Sequence, residues 1–271
     1  MTEQLKQSEA LSPGSGTGQP AYRQASLRVV LTSLLRADFT SQRRNARAWM
    51  ISIFLPLVLM FALSAGKRAQ TFSSPELRMG LSITAGLMSI AVFGYSLNVA
   101  RDREMGIFQR LRVAPAPTWA IMVSRLAVQV VFMLIVAVVV LLAGGLFANA
   151  TLSVGAYPLT LVVVIFGSIE FLGIGQALVG LIPSADTVNA VGRLLYIPLF
   201  LLGILGQAGI GGPILGPVFK WSPISSMTML LAGAMEPSGW SAQTWYALVA
   251  TVVYAAVFAS LGIRWFRWTG R

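Results

Sequence analysis

The chain has 271 residues, 56% of them hydrophobic and only 11% charged, whereas ordinary soluble domains are about a quarter charged. That composition excludes a soluble globular domain and points to an integral membrane protein. The net charge of +11 is gathered beside apolar runs, which argues against nucleic acid as a partner, and the absence of cysteine and histidine excludes disulfides, thiolate chemistry and the commonest zinc ligands.

Residues 1–25 contain "SPGSGTGQP" and no apolar core, the pattern of a flexible cytoplasmic tail rather than of a cleavable signal peptide. Over residues 26–46, Leu27, Val30, Leu31, Leu34 and Leu35 share one helical stripe, with Arg28, Thr32 and Arg36 opposite. An amphipathic helix is predicted there. Two placements satisfy it: the inner membrane interface, with arginines among the headgroups, or the protein's own cytoplasmic surface.

The remainder, residues 47–271, reads as one transmembrane unit. A helix needs about 20 apolar residues to cross about 30 Å of hydrocarbon. Six segments qualify, roughly 49–66, 79–100, 119–147, 158–182, 194–212 and 243–263. The predicted fold is therefore all-α and polytopic, with six transmembrane helices. With the first residue inside, all of the twenty lysines and arginines but Lys67, Arg68, Arg78 and Lys220 fall on the cytoplasmic side. Both termini are then cytoplasmic, in the plasma membrane. Between Gly211 and Trp240, Pro213, Pro217, Pro223 and Pro237 break an otherwise apolar external stretch. Short re-entrant or interfacial helices, buried against protein, fit there.

The second and third spans are joined by the cytoplasmic loop 101–117. Its opening "RDREMGIFQRLR" holds Arg101, Asp102, Arg103, Glu104, Arg110 and Arg112 between nearly uncharged flanks. Drawn as a helix, it puts Ile107, Phe108 and Leu111 on a modest apolar face, before Pro115 and Pro117 stop it. Such a helix suits a groove on another protein; it equally suits a positive-inside loop resting on the membrane.

Glu170 lies near the middle of the fourth span, where a charge costs about 2.5–3.5 kcal/mol. Gln129 of the third span reaches a similar depth, and Arg125 lies nearer the cytoplasmic end, so either side chain could meet it across antiparallel helices. Glu170 is then a group on the substrate route, a proton or cation site, or an interhelical strut. Gly173 and Gly180 share a face at heptad spacing and predict close helix packing.

"RDREMGIFQRLRVAPAP" resembles the cytoplasmic-loop motif of type-2 ATP-binding-cassette transporter permeases, through Arg103, Glu104, Gly106, Leu111, Arg112 and Pro115. Ile107 and Gln109 depart from the family's usual Thr and acidic residue. The six-span layout, the amphipathic helix and "KWSPISSMTMLL" before the last span extend the likeness from about Ser26 onward. The resemblance implies a dimer with a second permease copy or paralogue, and a separate ATPase subunit, carrying the ATP and Mg, bound at the loop. Phe108 and Leu111 would be the buried anchor of that contact, with Arg103, Glu104, Arg110 and Arg112 as rim charges. The sequence has no Gly-x-x-x-x-Gly-Lys-[Ser/Thr] phosphate loop, so any ATP is hydrolysed on another chain.

The expected function is export of a hydrophobic or amphipathic substrate, drug or lipid-like, with no catalytic residue, no metal and no directly bound cofactor. The competing reading is a secondary transporter or ion channel using Glu170.

Overall fold

The computed structural model describes residues 27–44, 46–65, 74–107, 117–147, 150 and 152–265, and all regular structure among them is helical. In chain order the elements are α1 (Leu27–Arg44), α2 (Ala46–Ser64), α3 (Pro75–Glu104) and α4 (Thr118–Phe147). There follow α5 (Ala156–Leu181), α6 (Ala185–Gln207), α7 (Gly212–Lys220) and α8 (Pro223–Met235). A 3₁₀ turn at Pro237–Gly239 leads into α9 (Ala242–Trp265).

Five of these helices, α3, α4, α5, α6 and α9, are long and apolar enough to cross a membrane. The apolar part of α2, Ser52–Ser64, is shorter, although its 19 residues reach roughly 28 Å at 1.5 Å per residue. The helical, polytopic class read from the sequence is the one found. In lipid a chain has little alternative, because only a helix or a closed barrel satisfies its own backbone polar groups.

Two span boundaries differ from the sequence reading. The second span does not stop at residue 100 but runs on through Glu104 as one 30-residue helix. The fifth begins at Ala185 rather than near 194. Asp186, Asn189 and Arg193 give its first turns the look of a loop. Ser184 nevertheless caps it, its side chain accepting from the Thr187 amide at 3.2 Å, and Asp186 complements the positive end of the helix. Similar signals open α3, where Ser74 caps Leu77, Pro75 takes the first position and Glu76 the first turn.

α3 is the central helix. It is buried continuously from Met79 to Val92, as befits a helix that is apolar all round, and it packs on α2, α4, α5, α6 and α8. Within it, Ile90–Tyr95 form a π-helical turn, a feature that recurs at functional sites. Gly175 of α5 makes room for this turn, since a Cβ there would lie 2.6 Å from the Ala91 carbonyl oxygen. α5 and α9 lie side by side, and Gly173 and Gly180 are where they touch. A Cβ at Gly173 would sit 2.7 Å from the Phe258 backbone and one at Gly180 2.6 Å from the Trp265 carbonyl oxygen. The proline-broken segment folds as α7, whose Ile214, Leu215 and Val218 are exposed, and α8, which is buried against α3, α5, α6 and α9.

Candidate functional site

The charged sequence after the second span is the end of α3. The helix closes at Gly106, whose φ of +67° is a left-handed conformation that suits glycine, and the Met105 and Gly106 amides bond back to the Arg101 and Arg103 carbonyls at 2.9 and 3.1 Å. The helix that carries Arg101–Glu104 therefore ends in a turn at Met105 and Gly106. Phe108, Arg110, Leu111, Arg112 and Pro115 lie outside the described residues.

Arg103 and Glu104 are engaged within the protein. Arg103 is only 7% exposed and folds onto the end of α5. Its guanidinium donates to the carbonyls of Val179 at 2.8 Å, Ile182 at 2.5 Å and Pro183 at 2.8 Å. The exposed Glu104 accepts from the Ala185 amide, the first of α6, at 2.6 Å. A cation thus closes the negative end of α5 while an anion closes the positive end of α6. Both ends of the α5–α6 turn are thus stapled to the root of the loop by residues that the sequence pattern cast as rim charges.

A second polar cluster joins α1 to α3 and α4. Arg125 of α4 forms an ion pair with Asp102 at 2.5 Å and lies 4.0 Å from Asp38 of α1. Ser124 donates to the Asp38 carboxylate, Asn98 donates to Gln42 at 3.3 Å, and Phe39 stacks on Phe132. Burial raises the Asp38 pKa above the usual aspartate value, against the lowering effects of Ser124 and Arg125 and with a small further rise from Asp102. Asp38, Gln42, Asn98, Asp102 and Arg125 border a cavity of about 150 Å³ that also meets Tyr95, Val99 and Gln129. The last turns of α1 thus contact both α3 and α4.

Glu170 is fully buried, and neither carboxylate oxygen has a hydrogen-bond partner among the described residues. The partners expected from the sequence are elsewhere: Arg125 is paired with Asp102, and Gln129 faces the cavity. Glu170 sits one turn before Gly173 on the side covered by α9, with Tyr254 as an electrostatic neighbour. Tyr254 donates instead to the Trp221 carbonyl at 2.8 Å.

At the opposite end of the bundle a cavity of about 450 Å³ opens between the starts of α3 and α9 and the ends of α6, α7 and α8. Glu76, Gln207, Lys220 and Glu236 line it. The sequence reading missed it, because those residues are isolated polar positions at four helix ends. Among the described residues no three acidic, histidine or cysteine side chains gather as a metal site would require.

Over residues 29–236 the chain matches the family described as ABC-2 type transporter. It is also 22% identical over 176 residues to a Bacillus subtilis (strain 168) protein named "Putative transport permease YvfS", a similarity that covers 65% of this chain and 70% of that one.

Proposed function

The chain belongs to the ABC-2 type transporter family, and on that footing we propose that it is the membrane-spanning subunit of an ATP-driven exporter, worked by a separate ATPase subunit that grips loop 101–117. It crosses the plasma membrane six times, with α2 as the first span and both termini in the cytoplasm. It pairs with a second permease copy or a paralogue. ATP and Mg are handled by the partner, and the substrate is hydrophobic or amphipathic.

The observation that best supports this reading is the double staple at the root of the loop. A pull on the loop is applied to α3 directly, and through Arg103 and Glu104 it reaches the ends of α5 and α6 at the same moment. One handle then moves three spans. Loop residues that only marked topology would have no use for such connections.

The test is purification of the tagged chain from its native membrane in mild detergent. An ATPase chain should be recovered with it, and the complex in liposomes should export substrate only with ATP. A self-sufficient oligomer that transports without ATP would overturn the reading. It would favour the alternative, a secondary transporter or channel using Glu170, for which the unpartnered buried carboxyl is the supporting observation.

A further inference from the structure

The cavity between α1, α3 and α4 reaches the root of loop 101–117, and its wall holds a buried acceptor without a hydrogen-bond partner among the described residues. Several donors that border it are already used. Asn98 donates to Gln42, Tyr95 donates to Gln176 of α5, and Arg125 is held by Asp102. Acceptor capacity remains. Asp38 and Asp102 are two carboxylates facing one guanidinium in the cavity wall, with the exposed Arg101 at the rim, and each ionised carboxylate offers about four lone-pair positions. Gln129, 6% exposed, has its carbonyl oxygen buried with no hydrogen-bond partner among the described residues. A buried acceptor left unsatisfied costs free energy that a donor would recover. The vacancy is therefore shaped for a group that brings hydrogen-bond donors and positive charge.

Size narrows the class. About 150 Å³ holds an ammonium group with a few carbons, and no more. Any longer ligand must leave its remaining atoms outside, past Val99, Val128 and the exposed Met105 at the wall. We propose that this cavity is a binding site for the primary ammonium head of an amphipathic molecule, inserted from the cytoplasmic leaflet between the amphipathic helix and the start of α4. Its role as the place where substrate enters rests on the exporter reading; the binding itself does not.

The experiment titrates hexylammonium, hexyltrimethylammonium and hexanol, by calorimetry, into the full chain in phosphatidylcholine nanodiscs, with empty nanodiscs as the baseline and no ATP. Hexylammonium should bind saturably, one per chain. Hexyltrimethylammonium, which carries the charge without N–H donors, should bind about tenfold more weakly, as loss of a hydrogen bond to a charged group implies. Hexanol should show no saturable binding. Gln129→Leu should weaken hexylammonium about tenfold. Gln129→Glu, which adds a carboxylate at the same place, should tighten it, and this second variant guards against a mere folding defect in the first. Equal affinity for hexanol, an unchanged affinity in both variants, or heats no larger than those of empty nanodiscs would each overturn the site and leave a cavity filled by water only. ATP-driven export that persists without such binding would refute the site alone. Binding without any recovered ATPase would refute the exporter reading alone.

Discussion

Replacing Arg103 by methionine keeps most of the apolar stem and removes all three bonds to the α5 terminus. A hydrogen bond from a charged donor contributes about 1.5–3 kcal/mol. Ile182 and Pro183 are partly or fully exposed in the turn, so their carbonyls regain water; Val179 is completely buried, and its carbonyl does not. The net cost is thus close to that of one dry bond, about 2–3 kcal/mol, or about 30- to 150-fold in the opening equilibrium of the α5–α6 turn. The chain contains no cysteine, so Ala185→Cys supplies a single reporter at a position only 4% exposed. Maleimide labelling in nanodiscs reads the opening directly when opening and closing are fast beside the labelling step. Adding Arg103→Met to that background should accelerate labelling by the same factor. Glu104→Gln, which keeps an acceptor but loses the charge, should accelerate it only about fivefold, the equivalent of about 1 kcal/mol. A rate in the Arg103→Met background within about twofold of the parent would refute the staple.

Gly175→Ala should lower the thermal midpoint, because its Cβ meets the Ala91 carbonyl at 2.6 Å and the Tyr95 ring at 3.3 Å; overpacking of this kind costs about 1–3 kcal/mol. A midpoint equal to that of the parent would show that the π-helical turn yields freely. Glu170→Met removes a desolvated group that leaves no bonded partner behind among the described residues, and should stabilise the protein by about 1–3 kcal/mol; a fall in the midpoint would reveal a partner and restore the strut. Asp38 gives a pH dependence of defined sign. Its raised pKa means that folding takes up a proton, so its stabilising contribution is complete below the ordinary aspartate value of about 3.9 and is lost as pH rises through the higher folded value. Asp102 and Arg125 face it across the cluster. The midpoint of Asp38→Asn should therefore change less than that of the parent when pH is lowered from about 7 to about 4, just above the ordinary aspartate value, and identical slopes would disprove the assignment.

Apolar runs of about 20 residues made the helical class legible, because the bilayer leaves a hydrophobic segment so few ways to satisfy its backbone. A close helix contact along Gly173 and Gly180 was legible for a similar reason, although nothing in the sequence named α9 as the partner. Gly173 and Gly180 leave a seam without side chains, and a second backbone fills it. What was not legible belongs to helix ends. Residues 185–193 read as loop because their polar side chains serve the start of a helix, where polarity is an asset.

Charge in a sequence announces itself, but its partners do not. Arg103 and Glu104 read as surface charges offered to another protein, since nothing in residues 101–117 discloses that their acceptors and donors lie 76 to 81 residues away in the backbone of the α5–α6 turn. The consequence is a division of labour within one short motif. Its first charged residues hold the protein's own spans, and the grip on a motor, as proposed, falls to the stretch beyond Gly106. The left-handed turn at that glycine separates the two tasks, because it lets the chain leave the axis of α3 just after the staple is made. A motif that looked like one amphipathic surface is better understood as a hinge pin followed by a handle. A substitution before Gly106 should then loosen the spans themselves, and one after it should weaken the coupling while leaving the bundle intact.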